Sequence, residues 1–258
     1  MPHVTTLSDV EKSKEAKPSR PVRVAEAIKA LVVEEAMQPG DRLPSETDMM
    51  ARFSMSKGTI REAMRILEAQ GLIKTRTGPG GGAFVHEVSR DRAKALLGNY
   101  FYFKNLTIGD IYQMRRALEP VNAAFLAGKL PATVLRQLEE ITTSYDKPAQ
   151  SAEEEREQHL ASLRFHALLA EQSHNPLLGF IIDFMVKLLA DITVYRQLYT
   201  PVNPELRKRG SDYQKRLLAA LKEGDAGAAK AIMTAHMETA WALMGDQEAI
   251  ALSRFLPE

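Results

Sequence analysis

Residues 55–85 read MSKGTIREAMRILEAQGLIKTRTGPGGGAFV, and the fold turns on what the glycines near the end of this stretch do. Glycines cradle a phosphate when a strand leads into them and a helix N-terminus follows, or when a Lys-Ser/Thr pair closes the loop. Here they lead into Ala83, Phe84 and Val85, a strand pattern, and no Lys-Ser/Thr pair follows. The stretch therefore predicts a hairpin, with LIKTR (72–76) and GAFVHEV (82–88) as its β-branched and aromatic arms. Just before it, residues 59–69 place Ile60, Ala63, Met64 and Leu67 on one helical stripe that Gly71 ends as a C-cap.

Working outward from this stretch, residues 54–57 form a turn, and SETDMMARF (45–53) starts a short helix with Ser45 as N-cap and Glu46 and Asp48 suited to the helix dipole. Val24, Ala27, Ile28, Leu31 and Val32 lie at helical spacing in a still earlier helix, which must stop before MQPGDRLP (37–44). Helix, short helix, turn, helix and hairpin is the order of a winged helix-turn-helix. Its third helix would lie in a DNA major groove and present Lys57, Thr59, Arg61 and Arg65, cationic or polar side chains able to bond guanine edges or phosphates. The formal net charge of the whole chain, +1, argues neither way, because a DNA footprint is local. Between Arg52 and Arg76 six basic residues face only Glu62 and Glu68, a basic patch.

Beyond Asp91 the pattern changes to one helix after another: 91–103, 107–128, 131–145, 152–173, 176–199, 204–222 and 225–246, separated by Asn, Pro, Gly and Lys-Leu-Pro breaks. Ile181, Phe184, Met185, Leu188, Leu189, Ile192 and Tyr195 give one of these a broad apolar face. The expected fold is thus mainly α, an N-terminal winged helix-turn-helix with a small β-hairpin wing and a C-terminal antiparallel all-α bundle. The expected boundaries are a polar arm at 1–19, the DNA-binding domain at 20–88, the bundle at 91–248 and a tail at 249–258. The chain has no cysteine, which excludes disulfides, thiolate zinc sites and cysteine nucleophiles. No apolar run reaches the roughly 20 residues of a membrane span, and the N-terminus lacks a signal-peptide core, so the expected place is the cytoplasm with no membrane partner. No nucleophile, base and orienting group come together in the sequence, which argues against an enzyme.

PGDRLPSETDMMARFSMSKGTIREAMRILEAQGLI (39–73) resembles the DNA-binding domain of GntR-type bacterial transcription regulators. DIYQMRRALEP (110–120), RFHALLAEQSHNPLL (164–178) and LLAALKEGDAGAAKAIMTAHM (217–237) are similar to the ligand-sensing FCD domain of the FadR branch. The resemblance spans about residues 22–245. It implies a homodimer bound to a palindromic double-stranded DNA operator, a repressor of a catabolic operon that senses a small organic acid in its bundle. It also implies that Lys57, Thr59 and Arg61 sit at DNA-contacting positions and that Thr77 and Gly78 lie at the wing tip. Where the family often has arginine this chain has Thr47 and Lys57, so one cationic contact is lost and one bidentate fork becomes a point charge.

Many FCD domains hold a metal with an aspartate and a histidine four residues apart, plus two later histidines. The corresponding positions here look like Ser162, His166, Gln214 and His236. Only His166 and His236 keep a metal-binding side chain and the carboxylate is missing, so the expectation is no tightly bound metal and no cofactor. A metal-dependent sensor is the alternative. The four residues instead make the polar wall of an effector pocket, or the two histidines are satisfied core residues. Arg115 matches a cavity-facing position where a guanidinium would suit a carboxylate. A surface salt bridge is the competing reading, since Arg116 is adjacent and only one of the two can point inward. His159 is expected at the surface, Tyr195 and Tyr213 in the pocket or the core, and the aromatic run at 100–103 in packing between domains.

Overall fold

A computed structural model describes residues 17–102, 104, 106–195, 197–199 and 202–253. The chain divides into two compact units between Ala93 and Lys94.

In the first unit α1 (Arg20–Glu34), α2 (Glu46–Phe53) and α3 (Lys57–Gln70) precede β1 (Ile73–Arg76) and β2 (Gly82–Val85). Ser45 caps α2 in a reciprocal box with Asp48, and Ser56 caps α3 through the backbone N–H of Thr59. Gly71 ends α3 at φ 81°, a conformation glycine adopts without steric cost. The strands pair antiparallel, Ile73 opposite Val85 and Arg76 opposite Gly82. Ile28, Leu43, Met49, Ile60, Leu67 and Ile73 close a small core beneath them.

Arg42 ties the entry to α2 onto the wing. Its backbone bridges Phe84, and its Nη2 donates to the Gly81 carbonyl at 2.6 Å. This is the physical content of PGDRLP: the Pro-Gly turn releases the chain from α1 and the arginine straps it to the hairpin.

The second unit contains α5 (Ile108–Leu126), α6 (Ala132–Ser144), α7 (Ala152–Glu171), α8 (Pro176–Tyr195), α9 (Pro204–Glu223) and α10 (Ala226–Ser253), preceded by α4 (Arg90–Tyr102), which begins before the division between the units. Thr107, Ser151 and Asn203 cap α5, α7 and α9. Hydrogen bonds from Thr107 hold the Asp110 carboxyl below its ordinary pKa. Helices α5, α8, α7, α6, α9 and α10 pack in a ring, each against the next, and α7 also reaches across to α5 and α9. Phe165, Leu126, Leu138, Leu189, Leu217 and Met237 fill its core. The α5–α6 and α9–α10 turns meet backbone to backbone: a Cβ on Gly128 would lie 3.2 Å from the Gly224 Cα, and the Gly128 N–H donates to the Leu221 carbonyl at 2.9 Å.

The fold class is therefore the expected one. Helix α10 runs on to Ser253, into the stretch expected as a tail, because QEAIALS (247–253) holds good helix formers and no Gly or Pro. In the aromatic run the Phe101 ring lies 5.9 Å from that of Phe184 and 5.1 Å from that of Tyr100, while Phe103 lies outside the described residues.

Candidate functional site

Two sites follow from these elements, one in each unit. On the first unit Lys57 opens α3 and is exposed, as are Arg61 and Arg65. Thr59 is half-buried, its hydroxyl 3.0 Å from that of Ser56. Arg61 Nε donates to Glu46 of α2 at 2.9 Å, and Arg65 pairs with Glu62 at 3.2 Å. Both guanidiniums remain exposed and exchangeable, since surface pairs are worth at most about 1 kcal/mol. Thr77 and Gly78 lie in the turn between β1 and β2. Arg52 turns back to α1 and pairs with Glu35 at 2.9 Å, and the Arg76 guanidinium sits 4.6 Å from the Phe84 ring centre.

In the second unit a cavity opens between α5, α7, α9 and α10. Arg115 is 1% exposed, and it is the inward member of the Arg115/Arg116 pair. Arg116 takes the surface role instead, 3.4 Å from Glu238 and over the Trp241 ring. Arg115 Nε donates to Glu119, one turn along α5. The other oxygen of Glu119 lies 2.5 Å from His166 Nδ1. Burial alone would raise the Glu119 carboxyl, but Arg115 and then His166 outweigh it and hold it at about 2.

Burial keeps His166 and His236 neutral, lowering both below the usual histidine range. With a proton on Nδ1 facing Glu119, His166 offers an acceptor at Nε2, and His236 Nε2–H donates to it across 3.1 Å. Gln214 is fully buried and fully engaged: Tyr145 OH donates to its Oε1, and its Nε2 donates to the carbonyl and hydroxyl oxygens of Ser162, each at 3.1 Å. Ser162, His166, Gln214 and His236 thus converge from three helices.

His159 corrects the sequence reading. It lines the cavity, and its Nε2 is buried with no hydrogen-bond partner. Seven residues from His166 is two helical turns, so both rings share one face of α7, and that face is the inner one. Burial, then the charge of Arg115, depress His159 to about 4. Tyr112, Tyr145, Glu155, Gln158 and Arg207 also line the cavity, and the sequence reading missed all five. Their inward position depends on neighbours far along the chain, although Glu155 falls at the same helical phase as His159 and His166, a signal that was available. Tyr213 packs its ring 5.4 Å from that of His236 and does not line the cavity; the Tyr195 side chain lies outside the described residues.

Two family matches coincide with these two sites. The family described as "Bacterial regulatory proteins, gntR family" matches residues 21–85, and the FCD domain matches residues 110–239. The chain belongs to the GntR family. It is a DNA-binding transcription regulator with an FCD domain, and not an enzyme. The chain is similar to the Uxu operon transcriptional regulator of Escherichia coli K12, 28% identical over 83% of this chain and 82% of that protein. It is also similar to the transcriptional regulator LutR of Bacillus subtilis 168, 25% identical over 78% of this chain and 90% of that protein. A solved Streptococcus agalactiae GntR structure shares the fold, with a TM-score of 0.60 at 21% identity, over 86% of this chain and 99% of that one.

The FCD resemblance raises the question of a metal, and the donor set does not fit one. Gln214 turns its amide nitrogen toward the cluster, Nε2 lying 3.4 Å from His166 Nε2, while its carbonyl oxygen is turned to Tyr145. The carboxylate of the cluster, Glu119, sits on the outer nitrogen of His166, and the buried Arg115 guanidinium beside it opposes a cation. Two neutral imidazoles and a hydroxyl remain, a weak set for a hard or borderline ion.

Proposed function

We propose that this GntR regulator is a ligand-responsive repressor that binds a palindromic operator as a homodimer, and that a small organic acid entering the bundle cavity controls it without a resident metal. The reading rests above all on Arg115. A guanidinium 1% exposed, paired through Nε with Glu119 and with Nη2 left without a hydrogen bond, lies in the wall of a cavity and suits a second carboxylate, that of an organic acid. His159 and His236 flank it, and both are uncharged at neutral pH. Four of the five effector-site residues, Arg115, Ser162, His166 and His236, line this cavity, and Gln214 braces Ser162 from behind.

The DNA-binding surface is the exposed side of α3 with the wing beside it, where Lys57, Thr59, Arg61 and Arg65 would meet the major groove and Thr77 and Gly78 the backbone. Along α5, Met114, Leu118, Val121 and Phe125 form a continuous apolar stripe, with Phe125 55% exposed. That stripe supports a two-fold contact, and a two-fold dimer matches two half-sites. A ligand that fits one arrangement of the dimer better than another shifts operator affinity by that difference. A relative named "Putative L-lactate dehydrogenase operon regulatory protein" makes an operon for the use of a small organic acid the fitting target. A cytoplasmic location follows from this role, and no helix among the described residues is long and apolar enough to cross a membrane.

Operator selection from random DNA, followed by titration of Lys57→Ala and Arg61→Ala proteins, tests the reading. Both variants should lose operator affinity and keep the ligand-induced thermal shift. Retained operator affinity would overturn the assignment of α3, and a reporter fused to the selected operator gives the sign of regulation.

A further inference from the structure

The cavity has a second end that the carboxylate clamp does not use. Glu155 and Gln158 are 6% and 8% exposed and line the cavity, and each has one oxygen without a hydrogen-bond partner, Oε2 and Oε1 respectively. The Gln158 amide cannot turn to hide this: its Nε2 donates to the Lys147 carbonyl at 2.9 Å, which fixes the other atom as the acceptor Oε1. Burial raises the Glu155 carboxyl, and only the Asn203 backbone N–H and the Arg207 charge pull it back.

Orphaned buried polar atoms are rare, because each gives up its hydrogen bonds to water and gains none in return. Among the described residues six such side-chain atoms occur, and four belong to residues lining this one cavity: Arg115, His159, Gln158 and Glu155. They are sorted by character. Arg115 Nη2 is a donor with a positive charge, whereas Glu155 and Gln158 offer bare oxygens. His159 stands between, one helical turn or about 6 Å from Glu155, and neutral imidazole can give or take a proton bond there.

We infer that the cavity is built for a small carboxylic acid carrying hydrogen-bond donors on its chain, a hydroxy or amino acid whose carboxylate meets Arg115 and whose hydroxyl or ammonium groups meet Gln158 and Glu155. This rests on the proposed role of Arg115 and adds the other half of the ligand. A second carboxylate is disfavoured, because it would face two acceptors, one of them a carboxylate, and the cation beside them, Arg207, donates to the Tyr145 and Asp146 carbonyls. A plain aliphatic acid is disfavoured, because it would leave both acceptors buried and dry. Size sets a further limit. The cavity volume is ≈ 50 Å³, room for about four waters, which matches an acid of about three to five carbons.

Thermal shift and calorimetry of the full-length protein, in the presence of chelator, test this with four three-carbon probes: glycerate, L-serine, propionate and malonate. Glycerate or L-serine should bind at least about tenfold more tightly than propionate and malonate, the cost of one lost hydrogen bond or more. Glycerate above L-serine assigns the donor as hydroxyl; the reverse order assigns it as ammonium. Propionate or malonate binding as well as glycerate and L-serine overturns the inference and leaves the Arg115 clamp standing. Binding of none of the four overturns both. Gln158→Met, close in size but without the acceptor, should bring the preference for the donor-bearing acid over propionate down about tenfold while propionate affinity stays unchanged. Glu155→Gln keeps an acceptor, so it should spare glycerate and weaken L-serine. If Gln158→Met lowers the melting temperature of the free protein, Glu155→Gln carries the test. An unchanged preference in both variants overturns the assignment of these two residues.

Discussion

Glu119 and His166 are joined across 47 residues of sequence by a 2.5 Å contact between a carboxylate oxygen and Nδ1, and the other carboxylate oxygen is held by Arg115. One acidic group therefore fixes both the guanidinium that faces the cavity and the tautomer of the histidine behind it. Breaking such a buried pair is costly because it strands a charge.

Glu119→Gln should destabilise the protein by about 3–5 kcal/mol, read as a fall in urea midpoint at pH 7.5. Replacing both partners, Arg115→Met with Glu119→Leu, should recover most of that loss, since no charge is then left buried. Equal stability of the single and double variants would contradict the pairing.

Acid should weaken the fold before carboxylates titrate. His159 has a folded pKa of about 4 against about 6.5 unfolded, so between these values the unfolded chain binds the proton and the native state does not. Stability is complete above about pH 6.5 and falls toward pH 4, by about 2–3 kcal/mol at about pH 4.5 from this group. His166 and His236 shift in the same direction. Urea midpoints measured from pH 7.5 down to 4.5 check this; His159→Gln should flatten the slope, and a flat wild-type profile would refute it.

The wing tip is intolerant of a side chain at Gly81. A Cβ there would lie 2.6 Å from the Arg76 carbonyl oxygen and 2.7 Å from that of Gly78, so the turn must open. Gly81→Ala should weaken operator binding at least about tenfold, the scale of one or two lost contacts of about 1–3 kcal/mol, and leave ligand binding in the second unit intact. A gel-shift titration beside a ligand thermal shift separates the two.

The apolar stripe on α5 should carry self-association. Val121→Glu with Phe125→Glu places two charges on it, and light scattering should then report a monomer that still melts cooperatively. A persistent dimer would move the interface elsewhere.

Local chemistry in the sequence was enough for the elements. Ser45 with Asp48, Ser56, Thr107 with Asp110, and Gly71 each start or stop a helix through bonds made within a few residues, so the winged helix-turn-helix and the run of helices could be read directly. The four positions 162, 166, 214 and 236 were legible through resemblance. The stripe on α7 that includes His159 was legible as periodicity, but periodicity alone does not say which stripe faces inward.

The sequence by itself determined the element order, the hairpin turn in place of a phosphate loop, and the absence of cysteine chemistry, because these depend on backbone preferences and composition. Only the tertiary structure decided that Arg115 rather than Arg116 is buried, that His159 faces a cavity, and that Glu155 and Gln158 keep free oxygens there. Arg42 reaching Gly81, and Tyr145 reaching Gln214, belong to the same class. Each of these depends on which helices pack together, and so on burial and hydrogen bonds between residues tens of positions apart, which no local pattern encodes.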